Sequence, residues 1–330
     1  LGVETGGAVG IPVYFALAFS VALYTIGFAE SVTRVFPMVP QTALAAVTTV
    51  VVAVLAMVSA RLVIRTQYFI MAAIGLSLLS FFLGGPVEAT SLQMEPAANP
   101  EAGFWVVLAV FFPAVTGIEA GVNMSGDLRD PARSIPRGTL AALFVGYLVY
   151  MTLPVVLSTR ADAQTLMDDP LIMRRIAFWG DAILLGVWGA TLSSAMGSML
   201  GAPRVLQALA RDGVLPRWMR VLGRGSGPDD APRLGTAVTL GVALAAVTLG
   251  ELNVIAPILT MFFLASYLTV NLGAGVESLL GSPSFRPSFR VHWSISLLGA
   301  AGCAVVMFLI NALATVVAAI IIATVFLWLE

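Results

Sequence analysis

The chain has 330 residues, of which 59% are hydrophobic and only 11% are charged, and its formal net charge is −1. A soluble domain carries about 25% charged residues, so this composition indicates an integral membrane protein. The near-neutral charge does not favour binding to nucleic acid, and the sequence has no Cys–His pair, metal-ligand cluster or phosphate loop that would favour an enzyme.

Apolar runs long enough to cross a bilayer recur along the whole chain. Ten predicted spans cover residues 7–31, 41–60, 67–85, 103–121, 138–158, 181–203, 235–250, 252–280, 295–311 and 312–328. The last two divide a single apolar run at Asn311, the predicted hairpin point, although one long tilted helix would also fit. We treat residues 1–330 as one all-α transmembrane domain.

The arginines predict the orientation of these spans. Every basic residue is arginine, which favours a prokaryotic source. One set of alternate connections contains Arg61, Arg65, Arg129, Arg133, Arg137, Arg204, Arg211, Arg217, Arg220, Arg224, Arg233, Arg286 and Arg290, whereas the other contains Arg34, Arg160, Arg174 and Arg175. The positive-inside rule places the arginine-rich set in the cytoplasm of a multi-pass cell-membrane protein. The longest cytoplasmic connection is then 204–234, and its glycine-rich run 223–232 is typical of a flexible linker.

The fourth span contains an unusual interruption. An apolar stretch from Phe104 to Val115 meets Thr116-Gly117-Ile118-Glu119-Ala120-Gly121, which sets two glycines around a carboxylate at membrane depth. Glycine weakens a helix and buried charge is costly in hydrocarbon. Such a broken helix is typical of the binding site of secondary transporters.

A helix break leaves carbonyls without partners on one side and amide N–H groups without partners on the other. Pro113 and Thr116 therefore suit a cation, because proline frees a carbonyl one turn earlier and threonine adds a hydroxyl. The amides of Gly117, Ile118 and Glu119 suit an anion. A proline kink with glycines for close helix packing would explain the same residues without a ligand.

Glu119 has three alternative roles that the residues leave open. Its carboxylate would bind a cationic substrate, carry a coupled proton or pair with an arginine, and it would repel an anion on the adjacent amides unless it is protonated or faces away. The following run, which includes Asp127 and Arg129, alternates acids with arginines. It predicts an inner gate or a rigid elbow, with a solvated loop as the alternative.

Two further sets of oxygen-bearing residues lie inside predicted spans. Ala190, Ser193 and Ser194 share one helical face and would make an oxygen cage for Na⁺, or else a small-residue face for close packing. Tyr24 and Tyr267 lie mid-span, where a phenol needs a partner. That partner is an ion or a neighbouring backbone carbonyl.

Taken together, several blocks resemble the cation–chloride cotransporters, a branch of the amino acid–polyamine–organocation superfamily. They are GGAVGIPVYFALAFSVALYTIGFAESV, FFPAVTGIEAGVNMSGDLRDPARSIPRGTL, ATLSSAMGSMLGAPRVLQALARDG and FFLASYLTVNL with SPSFRPSFR. The resemblance implies a LeuT-like inverted-repeat fold of twelve spans. On that fold this chain starts near the third span, so the first two, including the other discontinuous helix, would be missing and the chain alone should not transport.

The resemblance also implies ion sites in this sequence. The potassium site falls on Tyr24, Pro113 and Thr116, and the sodium site falls on Ala190, Ser193 and Ser194. The chloride site falls on the amides of Gly117, Ile118 and Glu119 with the hydroxyl of Tyr267. The implied function is symport of Na⁺, K⁺ and Cl⁻ without a cofactor, in a protein whose partners are inorganic ions, the bilayer and a second copy in a homodimer.

One departure from the family pattern supports an alternative function. Animal members carry an apolar residue at the position of Glu119, whereas amino acid permeases of the superfamily often carry an acid there. The alternative is an amino acid or polyamine permease, coupled to protons through Glu119. A third hypothesis is a transport-dead partner or scaffold protein.

Overall fold

The computed structural model describes residues 2–58, 60–87, 103–123, 125, 128–227, 230–281, 287 and 291–329. Thirteen α-helices lie in these ranges: α1 Gly2–Val35, α2 Gln41–Val58, α3 Ala60–Phe82, α4 Phe104–Phe111, α5 Ala120–Asn123, α6 Pro131–Ser158, α7 Ala163–Asp168, α8 Ile172–Ile176, α9 Gly180–Arg211, α10 Arg233–Val247, α11 Leu252–Leu280, α12 Trp293–Ile310 and α13 Ala312–Leu329. Two 3₁₀ helices cover Phe112–Val115 and Arg217–Gly223. The prediction of an all-α membrane protein is confirmed.

Each of the ten predicted spans coincides with a helix or with the broken segment α4–α5. Among the described residues, seven helices are long and apolar enough to cross a membrane, and shorter apolar helices cover Thr66–Phe82 and Arg233–Val247. The predicted interruption at Asn311 is present. Asn311 has an extended backbone, and its side-chain Oδ1 accepts a hydrogen bond from the Ala314 amide at 2.9 Å, which begins α13.

Helices α6 and α9 extend into connections that the hydropathy predicts to lie outside the spans. Helix α6 begins at Pro131 rather than residue 138, because proline at the first helical position has the required φ and sacrifices no hydrogen bond. Helix α9 continues to Arg211, so residues 204–211 of the predicted cytoplasmic connection are helical.

The glycine-rich run 223–232 is held in place rather than free, which corrects the linker prediction for its described residues. Arg211 donates through Nε to the carbonyl of Gly223 at 2.7 Å, and its Nη2 pairs with Asp230 at 2.7 Å. Ser226 and Ala231 exchange two backbone hydrogen bonds, at 2.9 and 3.0 Å. Composition does not predict the contacts of Gly223 and Asp230, because Arg211 lies on the preceding helix.

The four arginines of the arginine-poor side all have partners. Arg34 pairs with Glu30, and Arg160 donates to the carbonyls of Phe81 and Phe82 at the end of α3. On the same side, Arg174 pairs with Asp181 and Arg175 pairs with Asp169, both at 2.8 Å. The Arg175 guanidinium beside Asp169 holds the pKa of that carboxyl below its usual value. Three of these arginines are compensated by carboxylates and Arg160 by backbone carbonyls, so the four do not conflict with the predicted orientation.

Helix α1 forms the centre of the core. Its small residues Ala16, Ala18, Ala22 and Ala29 are fully buried, which lets α9, α10 and α11 approach closely. Helix α6 has no buried residue and encloses a cavity against the broken segment instead. The break therefore lies between a packed core and an open face.

Candidate functional site

The predicted interruption of the fourth span is present in the structure. Helix α4 ends at Phe111 and tightens into a 3₁₀ turn, after which Thr116 is extended with φ −86° and ψ 174°. Gly117 follows with φ +99°, and helix resumes only at Ala120. A positive φ of this size is costly for any residue with a Cβ, so glycine is what permits the break.

The carbonyl side of the break is satisfied by side-chain hydroxyls. Pro113 has no N–H, so the carbonyl of Ala109 loses its usual helical partner. Thr260 of α11 donates its buried hydroxyl to that carbonyl oxygen at 2.7 Å. In the same way, the Tyr150 hydroxyl of α6 donates to the carbonyl of Ala114 at 2.8 Å.

The residues predicted to bind K⁺ come together at this point. The Thr116 hydroxyl donates to the carbonyl oxygen of Pro113 at 2.7 Å, and the phenol of Tyr24 lies beside the Thr116 side chain. Tyr24 belongs to α1 and packs against the same buried cluster as Phe112 and Tyr267. Three oxygens from two elements are thus gathered at the end of the 3₁₀ turn, and an ion could replace the internal hydrogen bond among them.

The amide side of the break is left without backbone partners. Among the described residues, the N–H groups of Gly117, Ile118 and Glu119 donate to no backbone carbonyl. The Tyr267 hydroxyl of α11 is buried there without a hydrogen-bond partner, and it lies near enough to the Gly117 amide and the Glu119 carboxyl to interact with both. These are the residues predicted to bind Cl⁻.

The ring of Tyr267 is fixed by aromatic neighbours on two elements. Its centroid lies 6.4 Å from that of Phe112 and 5.9 Å from that of Phe263. These contacts hold the hydroxyl beside the break even though no group among the described residues accepts its hydrogen. A buried donor without an acceptor is costly, which makes this hydroxyl a candidate anion ligand.

The predicted Na⁺ set lies on α9 where that helix packs against α3. Ala190, Ser193 and Ser194 share the predicted face, and the Ser193 hydroxyl donates to Oε1 of Gln67 on α3. The helices approach closely here, since a Cβ on Gly186 would lie 2.4 Å from the Cβ of Ser77. Close packing by small residues therefore explains part of this face. The Ser193 hydroxyl nevertheless lies in the contact between α9 and α3.

The predicted gate receives less support. Arg129 is exposed, and Asp127 lies outside the described residues. The nearest described ion pair joins Arg133 and Asp130 at 3.9 Å, with both side chains more than half exposed. Such a pair contributes little, so the described part of this run resembles a solvated helix start more than a salt-bridged gate.

A cavity of about 720 Å³ lies beside the break, between the broken segment and α6. Thr116, Gly117 and Ile118 line one wall, and Tyr147 and Tyr150 line the other. The site therefore has access to a space large enough for a hydrated ion or a small organic solute.

Sequence reasoning missed three residues around the site: Thr260, Tyr150 and Gln67. One signal was present for Thr260, because it lies one heptad before Tyr267 and so shares its face of α11. Tyr150 and Gln67 had no comparable signal, since each is placed by the packing of its helix against a neighbour.

Comparison with known proteins places these features in context. Residues 1–330 match the amino acid permease family. The chain is similar to solute carrier family 12 member 2 of Danio rerio, with 32% identity over 396 residues that cover 100% of this chain and 35% of that protein. It is similar to solute carrier family 12 member 1 of Mus musculus, with 31% identity over 385 residues, 97% of this chain and 35% of that protein. It is also similar to solute carrier family 12 member 2 of Homo sapiens, with 32% identity over 374 residues that cover 94% of this chain and 31% of that protein. The chain thus spans about a third of the length of the curated relatives it matches.

Proposed function

We propose that this chain, which belongs to the amino acid permease family, forms the ion-binding part of a secondary active transporter that carries Na⁺ and K⁺ together with Cl⁻. The resemblance to the cation–chloride cotransporters is confirmed at the level of the family by the solute carrier family 12 relatives. The choice of ions and the ligand residues are the proposal.

One observation carries the proposal. Among the described residues, the break places amide N–H groups without backbone partners and a buried phenol on one side, and clustered carbonyl and hydroxyl oxygens on the other. N–H and O–H donors can replace the water around an anion, and oxygen acceptors can replace the water around a cation. An anion subsite and a cation subsite within one break support coupled movement of the two ions.

The cation subsite uses Tyr24, the carbonyl of Pro113 and the hydroxyl of Thr116. The threonine hydroxyl donates to the proline carbonyl at 2.7 Å, so the two groups already lie at contact distance. A K⁺ ion would take the lone pairs of both oxygens, and the threonine hydrogen would turn away. The phenol oxygen of Tyr24 adds a ligand from a second helix.

The sodium subsite uses Ala190, Ser193 and Ser194. Because Ser193 donates its hydrogen to Gln67, its oxygen lone pairs remain available to a cation. Gln67 thus acts as a positioning residue for the serine.

Rubidium uptake tests this function. Because the resemblance implies spans that this chain lacks, the test uses the full-length gene product. Reconstituted in proteoliposomes, it should take up radiolabelled Rb⁺ only when both Na⁺ and Cl⁻ are present outside, and replacement of Cl⁻ by gluconate should abolish uptake. Rubidium uptake that is indifferent to chloride contradicts the proposal. A protein that takes up no ion under any gradient fits the third hypothesis, a scaffold or partner protein.

A second candidate function is favoured by Glu119, whose Oε2 is buried and has no hydrogen-bond partner in the described part of the chain. A carboxyl in this condition is suited to bind an amine or to carry a proton, as in an amino acid or polyamine permease. This candidate predicts that an amino acid or polyamine raises the unfolding temperature of the protein and that Glu119→Gln abolishes uptake of that solute. Unaltered uptake by Glu119→Gln removes the proton role.

A further inference from the structure

We propose that the ionised Glu119 carboxylate and a chloride ion exclude one another at the Tyr267 hydroxyl, so that anion binding at the break takes up a proton onto Glu119. The inference rests on the anion site of the proposed function, and it adds that the protonation of Glu119 controls whether chloride binds there. Glu119 then belongs to the site as a competing internal anion and not as a chloride ligand through its side chain.

The first observation concerns two buried polar groups. The Glu119 Oε2 and the Tyr267 hydroxyl are both buried, and neither has a hydrogen-bond partner among the described residues. One group is an acceptor and the other is a donor, and they interact electrostatically across the break. The arrangement leaves one donor for which a carboxylate and a free anion would both compete.

The second observation is the absence of a compensating cation in the described part of the chain. No salt bridge found there involves Glu119. Besides Glu119 itself, the described ionisable groups that act on the Tyr267 phenol are Tyr24 of α1 and Cys303 of α12, and Tyr147 and Tyr150 of α6 line the cavity beside the break. Tyrosine and cysteine carry no positive charge in either protonation state, so none of them can offset two negative charges.

The consequence follows from electrostatics in a medium of low dielectric constant. Two like unit charges about 5 Å apart, at an effective dielectric constant of about 20, weaken binding by roughly a hundredfold. Protonation removes this repulsion and converts the carboxyl into an O–H donor that can turn towards the anion. No bond is broken in this step, and the proton comes from bulk water.

The test is the pH dependence of chloride binding by the complete chain in detergent, measured as the shift in unfolding temperature when chloride replaces gluconate. For the unsubstituted protein, the apparent Kd for chloride should rise by up to about tenfold per pH unit as Glu119 ionises, and by roughly a hundredfold in total. Glu119→Gln, which stays neutral, should bind chloride with a Kd that is independent of pH. Glu277→Gln is the matched control, because Glu277 of α11 also has a buried carboxyl oxygen without a partner but lies at the end of its helix. It should keep the pH dependence of the unsubstituted protein.

A second measurement does not depend on any variant. Addition of chloride to the unsubstituted protein in weak buffer should cause uptake of up to about one proton per anion bound, read by a pH indicator. Chloride binding without proton uptake, or an equal pH dependence in the unsubstituted protein and Glu119→Gln, overturns this inference and leaves the anion site intact. If chloride stabilises neither protein at any pH, the anion site of the proposed function fails as well.

Discussion

Thr260 donates its buried hydroxyl hydrogen to the carbonyl oxygen of Ala109 at 2.7 Å, which is the carbonyl that Pro113 leaves without a helical partner. Helix α11 thereby completes the hydrogen bonding of the broken segment from outside. The same helix carries Tyr267, two turns later on the same face. One helix therefore stabilises the carbonyl side of the break and supplies a donor to its amide side.

Thr260→Val should destabilise the protein, since valine keeps the shape of threonine but leaves the Ala109 carbonyl buried and unsatisfied. The expected loss is about 1–3 kcal/mol in the free energy of unfolding. The measurement is unfolding in detergent, and Thr260→Ser, which keeps the hydroxyl, should recover most of the loss. Equal stability of the valine variant and the unsubstituted protein would show that the hydrogen bond contributes nothing.

Gly117→Ala should impair ion binding more than folding. Nothing lies within 4 Å of a Cβ at this position, so the cost arises from φ +99° and not from a clash. A cost of roughly 1–2 kcal/mol would favour closure of the break into regular helix. The measurement is stabilisation by Rb⁺ and Cl⁻, which should both decrease.

Gly121→Ala is the matched control for this variant. A Cβ on Gly121 would lie 4.0 Å from Ile135 and Thr139, which is ordinary contact, and the residue is already helical. It should bind ions as the unsubstituted protein does. Equal ion binding by both alanine variants would contradict a role for the break.

Tyr24→Phe should weaken rubidium binding, because it removes one of the three oxygens of the cation subsite. Loss of one hydrogen-bonding or coordinating contact to a charged group corresponds to about ten- to a hundredfold in apparent Kd. Tyr14→Phe is the control, since Tyr14 is a second tyrosine on α1 but packs in a different cluster. If the two variants bind Rb⁺ equally, Tyr24 is not a ligand.

Gln67→Ala should raise the apparent Kd for sodium by about three- to tenfold, because the Ser193 hydroxyl loses the acceptor that orients it. Sodium-dependent stabilisation provides the measurement. Thr191→Val on the same helix should leave it unchanged, since the Thr191 hydroxyl donates to its own helix at the Val187 carbonyl, 2.8 Å away. An unaltered sodium response in Gln67→Ala would remove the positioning role.

Much of the fold and of the break could be predicted from local sequence. Hydropathy placed the spans because a bilayer requires long apolar helices. The combination of Pro113, Gly117 and Glu119 predicted the interruption because proline removes a donor and glycine permits a positive φ. These are properties of single residues and their immediate neighbours.

The partners of the break could not be predicted in the same way. Which helix supplies Thr260 to the Ala109 carbonyl depends on how α11 lies against α4, and no local pattern encodes that placement. Gln67 meets Ser193 because small residues on α9 let α3 approach. Similarly, Arg211 contacts Gly223 and Asp230, which lie 12 and 19 residues later in the chain, and the composition of the run does not predict these contacts.

The central claim is that the break itself binds the ions, and anomalous diffraction from crystals of the protein in rubidium bromide tests it most directly. The account predicts a bromide peak within hydrogen-bond distance of the Gly117 amide and the Tyr267 hydroxyl, in crystals grown at a pH where Glu119 is protonated. It also predicts a rubidium peak among the oxygens of Tyr24, Pro113 and Thr116. Ordered bromide and rubidium found only elsewhere, with the break unoccupied, would contradict it.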